Sequence, residues 1–227
     1  MRALRGRSFG NLRSRRARAW DCYWTGVRRD LGRAPGGFTR WAVGFLRSQR
    51  CRTVLDLGCG SGRDLRSLLG LGFTVTGVDC SAIAIARVDR LTRSVPAAQQ
   101  RRLALFHADL IEFLASVPAS SVDAVHAAAT YQTLSEPEIP LLFEQVHRVL
   151  VPGGLHLWSV RSARHAGRRR AEPVPPNTPT HRHSVPSRFF ARRDIARLSR
   201  GRFERVRLTG AEPAPGLRLY YVADLRP

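Results

Sequence analysis

The 227-residue chain carries 38 basic and 17 acidic side chains, every basic one an arginine, for a formal net charge of +21. At 43% hydrophobic and 8% aromatic it can bury one sizeable core, which excludes wholesale disorder and leaves little for a second domain. No run reaches the roughly 18 apolar residues of a membrane span, and the first residues lack the apolar stretch of a secretory signal, so no membrane role is expected.

Residues 1–19 combine seven arginines with no acid and read as a flexible basic arm, with order expected from Trp20 onward, so that 20–227 form the folded domain. Trp20, Tyr23, Trp24, Phe38, Trp41, Phe45 and Leu46 supply the first apolar anchors, and Thr39 is placed to cap a helix running to Ser48. Short apolar runs then recur at 52–57, 74–78, 102–106, 122–127 and 155–160. Helical patterns lie between some of them, at 64–71, from Ser81 to Thr92 and at 137–150. This alternation predicts an α/β fold with a mostly parallel sheet. Residues 162–187, with Arg168, Arg169, Arg170 and five prolines, predict a lid or substrate loop in which Arg161, His165, His181 and His183 face a ligand, or else a solvated linker. A helix at 189–198 and two strands at 203–208 and 217–223 close the chain.

Net charge is +12 over residues 1–53, −5 over 104–160 and +11 over 161–227. Such flanks favour anionic partners. Arginine without lysine, alongside abundant Ala, Gly and Pro, is also what GC-rich codon usage produces, so nucleic-acid binding stays open without being indicated. Cys22, Cys51, Cys59 and Cys80 fall at no metal-ligand spacing, and neither a disulfide framework nor a metal site is expected; a reducing cytoplasm fits.

The informative stretch is Val54-Leu55-Asp56-Leu57-Gly58-Cys59-Gly60-Ser61-Gly62-Arg63-Asp64, a strand running into a glycine turn and a helix. Glycines there permit tight geometry and close approach of backbone to ligand. A dinucleotide fingerprint would need glycine where Arg63 stands, and a P-loop would need a lysine the chain lacks. Asp64 in the first helical turn would repel a pyrophosphate. A neutral or cationic ligand fits better. Asp79, closing the second strand, can accept both hydroxyl hydrogens of a ribose.

With these motifs the chain, from about residue 20 to its end, resembles the class I S-adenosylmethionine-dependent methyltransferases. The resemblance implies a Rossmann-like, seven-stranded, mostly parallel sheet with a C-terminal antiparallel hairpin, and S-adenosylmethionine as cofactor. It also implies that Asp56, Gly58, Gly60 and Gly62 line the methionine end, that Asp79 holds the ribose, and that Ala108, Asp109 and Leu110 edge the adenine, with Asp109 taking its amino group. Cys59, Cys80 and Ala127 complete the implied cofactor site, the two cysteines as small fillers of a turn and a strand end. Val122-Asp123-Ala124-Val125, Val151-Pro152-Gly153-Gly154-Leu155 and Arg188-Phe189-Phe190 resemble the small branch that includes tellurite-resistance and thiopurine-type enzymes.

Methyl transfer to a small-molecule nucleophile at O, N or S is then expected, with an acceptor that the basic flanks would suit if anionic. A base is needed only if that nucleophile must lose a proton. The candidate is Tyr131, in the place after strand four where relatives often carry a histidine, with His165 second. His126, inside strand four, reads as a packing or supporting group. Two rival readings remain open at this point: a nucleic-acid-directed methyltransferase or binder using the Arg-rich ends, and a cofactor-binding domain without catalysis. Oligomeric state does not follow from the sequence.

Overall fold

Strands β1 (Thr53–Leu57), β2 (Thr74–Asp79) and β4 (Val122–Ala128) are runs buried over most of their length, as strands covered on both faces must be, while β3 (Leu103–His107), at the sheet edge, is mostly half-buried. With β5 (Leu150–Arg161), β6 (Glu204–Ala214) and β7 (Leu217–Leu225) they form one sheet in the order β3-β2-β1-β4-β5-β7-β6. The first five are parallel neighbours, and β7 runs antiparallel to β5 and β6. The computed structural model describes residues 15–27, 34–163, 187–214 and 217–227. No helix among these is long and apolar enough to cross a membrane.

Helices cover both faces. On one, α2 (Gly37–Ser48), α3 (Arg63–Gly70) and α4 (Ala82–Thr92) pack Phe38, Leu46, Leu65, Leu68 and Val88 against Val54, Val75 and Leu157. On the other, α6 (Leu110–Ser116), α7 (Glu138–Val149) and α8 (Arg192–Ser199) bury Phe113, Phe143, Val146 and Ile195 against Leu55, Val125 and Trp158. A short α5 (Ala97–Gln100) precedes β3. At Gly77 in β2 a Cβ would stand 2.3 Å from Leu65 Cδ1, so the absence of a side chain sets how closely α3 lies on the sheet.

The expected α/β fold and C-terminal hairpin are present, with differences at the edges. Helix α1 (Arg15–Gly26) begins five residues before the expected onset of order at Trp20, while residues 1–14 of the proposed arm lie outside the described residues. Helix α2 starts at Gly37, and Thr39 is not its cap: its hydroxyl is turned inward to His126. Helix α6 was not expected; Asp109 caps it by accepting from Ile111 N. Strand β5 begins at Leu150 because Pro152 and Gly153 loop out of its pairing with β4. The register jumps from Val122↔Leu150 to Ala124↔Leu155, and Gly153 takes φ +74°. Most of the loop expected to act as a lid lies outside the described residues.

Candidate functional site

The turn after β1 is built from left-handed backbone at Gly58 (φ +71°), Gly60 (φ +54°) and Gly62 (φ +84°), which side-chain-bearing residues adopt at a cost. Gly58 N and Cys59 N both donate to Val78 O, tying the turn to the end of β2. There Asp79 is held as a fork: Oδ2 accepts from Gly60 N and Oδ1 from Ser81 N, each at 2.9 Å. Each oxygen keeps a lone pair for a further donor. Burial pushes the Asp79 pKa up to about 6, against the two backbone hydrogen bonds.

Asp56, at the carboxyl-terminal side of β1, is backed by a buried relay. His126 Nδ1 stands 2.8 Å from Asp56 Oδ1, and Thr39 Oγ1 lies 3.0 Å from His126 Nε2. Because a carboxylate only accepts, Nδ1 carries the hydrogen of that bond. Burial alone would lower the His126 pKa, but Asp56 together with Asp64 more than offsets it and holds it above the ordinary value. Phe38 stacks on the imidazole with centroids 5.0 Å apart, fixing its plane. The second Asp56 oxygen, Oδ2, is buried and has no hydrogen-bond partner, an acceptor left open at the site. Asp64 faces the start of α2, accepting from Gly36 N at 2.7 Å and pairing with Arg63.

Asp56, Asp64, Asp79, Gly58 and Gly60 line one cavity of about 520 Å³ at the carboxyl ends of the parallel strands, where α/β sheets bind ligands. Helix α1 forms its outer wall with Trp20, Tyr23 and Trp24. A Cβ on Gly60 would stand 2.8 Å from the Trp24 ring, so the indole lies directly on the glycine turn. The helix is latched at its start and its middle: Arg16 pairs with Glu138 and, at 3.6 Å, with Asp109, while Asp21 accepts from Ser81 Oγ (2.6 Å) and Ile83 N (3.2 Å).

Of the expected cofactor residues, Asp56, Gly58, Cys59, Gly60, Asp79, Cys80, Asp109 and Leu110 line this cavity. Cys80 is a thiol, its pKa pushed up to about 12 by burial and by Asp79. Asp109 Oδ1 caps α6 and Oδ2 lies 3.6 Å from Arg16, and each oxygen keeps a lone pair for a further donor. Gly62, Ala108 and Ala127 are not among the lining residues. Gly62 turns toward Val88, and Ala108 and Ala127 are fully buried in the core, so they support the wall from behind.

Tyr131 requires a correction. Its ring is fully buried among Phe143, His156 and Trp158, and its hydroxyl lies 2.7 Å from His156 Nε2. Burial and Asp224 keep its pKa well above 10. It does not line the cavity and cannot serve as the base there. Its neighbours in the single 3₁₀ turn at Tyr131–Thr133, Thr130 and Gln132, do face the cavity, because successive residues of so tight a turn point in different directions. His165, His181, His183 and Arg168–Arg170 lie outside the described residues.

The expectations passed over Gln132, Ser159, Leu219 and Tyr221, all of which line the cavity. The register pairs Ser159 with Tyr221 and Arg161 with Leu219, so the four side chains share one face where β5 and β7 meet. The available signal was the i, i+2 spacing of Ser159 and Arg161 at the carboxyl end of a predicted parallel strand.

Residues 54–154 match the family model described as "Methyltransferase domain". A 65-residue stretch is 40% identical to glycine N-methyltransferase of Oryctolagus cuniculus, covering 29% of this chain and 21% of that protein. Over 108 residues the chain is 37% identical to ribosomal RNA small subunit methyltransferase J of Laribacter hongkongensis, covering 44% of this chain and 37% of the relative. The chain thus spans well under half the length of these curated relatives. Among solved structures it resembles the 1,6-didemethyltoxoflavin-N1-methyltransferase of Burkholderia thailandensis, crystallised with 1,6-didemethyltoxoflavin and S-adenosylhomocysteine. That likeness has a TM-score of 0.64 at 21% identity, covering 84% of this chain and 78% of that one, and shows a shared fold.

Proposed function

With residues 54–154 matching a methyltransferase-domain family, we propose that the chain is a class I methyltransferase that binds S-adenosylmethionine in this cavity and methylates a small, negatively charged molecule. One observation carries the reading. Asp79 is buried beside a left-handed glycine turn, both oxygens held by backbone N–H groups and each with a lone pair free for a ribose hydroxyl. The open acceptor Asp56 Oδ2 fits the ammonium of the methionine portion, with His126 and Thr39 holding its carboxylate in place. Gly58 and Gly60 leave room that a side chain would fill against Thr130 and Trp24.

When bound, the sulfonium supplies an electrophilic methyl group: a bond from the nucleophile to that carbon forms as the sulfur–carbon bond breaks, and a neutral thioether leaves. The residues' part is binding and orientation. Asp79 and Asp56 fix the two ends of the ligand, and Trp20, Tyr23 and Trp24 on α1 exclude water from above. At the end of the cavity formed by β5 and β7, Gln132, Ser159 and Arg161 are donors, and the titratable group beside them is the Tyr221 phenol, which burial holds above its ordinary pKa and so in the protonated form. That suits an amine or thiolate that arrives with its lone pair free. The names of glycine N-methyltransferase and the toxoflavin enzyme support nitrogen as the acceptor atom.

The relative that acts on ribosomal RNA supports a second reading, a nucleic-acid acceptor held by the Arg-rich flanks. That reading requires RNA affinity that falls steeply with added salt. A cavity this size, walled by α1, favours the small molecule.

S-adenosylhomocysteine at about 100 times its dissociation constant is expected to stabilise the fold by about 2.7 kcal/mol, raising Tm by roughly 5–10 °C. Thermal unfolding with S-adenosylhomocysteine, NAD and ATP in parallel checks this. No shift with the first and a shift with either of the others contradicts the reading.

A further inference from the structure

Three arginines line the cavity among the described residues, and two of them are paired within the fold. Arg16 meets Asp109 and Glu138, and Arg63 meets Asp64. Arg161, the last residue of β5, has its backbone tied on both sides: its N–H donates to Gln132 Oε1 and its carbonyl accepts from Phe190 N. Its guanidinium has no carboxylate partner among the described residues. Partial burial holds its pKa below the ordinary arginine value, outweighing the opposing effect of the Tyr23 phenol.

The surroundings are polarised in the same sense. The cavity's carboxylates, Asp56, Asp64, Asp79 and Asp109, all come from the ends of β1, β2 and β3 and the start of α3. The β5 end has donors instead. The Gln132 amide is fixed by its oxygen on Arg161 N, leaving the amide nitrogen to the cavity, and Ser159 Oγ accepts from Ala129 N while its hydrogen remains to donate. Strand β5 is two strands from β1, about 10 Å at the usual strand spacing. A ligand anchored at Arg161 therefore has room for a few atoms before it reaches the acid-lined end.

From this we infer that the methyl acceptor is a small carboxylic acid, its carboxylate held by Arg161 with Gln132 and Ser159 as accessory donors and its nucleophilic atom directed toward Asp56 and Asp79. One cation matches one negative charge, and the planar guanidinium fork matches a carboxylate in two parallel hydrogen bonds. That the ligand is a methyl acceptor rests on the methyltransferase reading; the anion site itself rests on Arg161.

The test is a titration of the S-adenosylhomocysteine-loaded chain with propionate, propionamide and inorganic phosphate at constant ionic strength, followed by calorimetry and by the fluorescence of Trp20 and Trp24. Propionate is expected to bind saturably and propionamide at least roughly ten-fold more weakly. Arg161→Gln should lose propionate binding by a similar factor and Arg161→Lys should retain part of it. Both variants should hold S-adenosylhomocysteine within about two-fold of the parent, which also shows that they fold. The inference is overturned if propionate does not bind, if acid and amide bind alike, if Arg161→Gln leaves propionate affinity unchanged, or if phosphate binds more tightly than propionate. If the parent binds no S-adenosylhomocysteine, the methyltransferase reading fails by itself, and the same titration on the unliganded chain still decides whether Arg161 is a carboxylate site.

Discussion

Replacing Asp79 by alanine is expected to weaken S-adenosylhomocysteine binding by about 2–4 kcal/mol, roughly 30- to 1000-fold. The substitution removes an acceptor whose two oxygens are aligned by Gly60 N and Ser81 N, and it leaves those donors without a partner in a buried place. The same carboxylate gives the binding a pH signature. Its pKa is raised to about 6, so the ionised, accepting form prevails at pH 7 and is lost as pH falls through about 6. Affinity should fall by up to about ten-fold per pH unit below that point in the parent. In Asp79→Ala the profile should be flat over the same range. Calorimetry from pH 5 to 8 on both proteins decides; equal affinities at pH 7, or parallel profiles, would place the ribose elsewhere.

Asp224→Ala should produce the largest loss of stability. Asp224 is fully buried on β7 and accepts from Trp158 Nε1 (3.0 Å) and Ser199 Oγ (2.8 Å), while Arg205 of β6 pairs with its other oxygen. Three elements, β5, β6 and α8, are thereby pinned to the strand that carries Tyr221 to the cavity. Removing the carboxylate strands the indole N–H in the core, leaves the Ser199 hydroxyl only a long contact with Ile195 O, and takes the counter-charge from Arg205 at the core's edge. Breaking such a buried pair costs about 3–5 kcal/mol, and the partial exposure of Arg205 places the expectation near about 3. For a chain of this length that is a fall in Tm of roughly 6–12 °C. Burial keeps the Asp224 pKa above its ordinary value despite Arg205, so its charge is not itself a source of stability. Asp224→Asn, which keeps an acceptor oxygen, should therefore cost much less. Equal losses for the two variants, or a shift below about 2 °C for alanine, would contradict this account.

The framework was legible in the sequence because buried parallel strands are short apolar runs and because a glycine turn followed by a strand-two acid has few structural solutions. Asp56, Gly60 and Asp79 converge as their spacing implied. Helix α1 was legible only from Trp20 because its polar first turn has no apolar rhythm. It is held by tertiary contacts of Arg16, Asp21 and Trp24 with residues distant in the chain, which no local pattern reports. Tyr131 was misplaced for a different reason: position after β4 was readable, but the direction of a side chain within a single 3₁₀ turn was not. Its neighbours Thr130 and Gln132 took the cavity side. The β5–β7 side of the cavity depends on the antiparallel register that sets Tyr221 beside Ser159, and a register between strands separated by the long 162–187 connection is fixed by packing alone.

A crystal structure with S-adenosylhomocysteine bound tests the central claim most directly. The account predicts both ribose hydroxyls within hydrogen-bond distance of Asp79, the homocysteine ammonium on Asp56 Oδ2, and the sulfur facing the end of the cavity formed by Gln132, Ser159 and Arg161. Ligand density whose ribose lies away from Asp79, or whose sulfur faces away from Arg161, would contradict it.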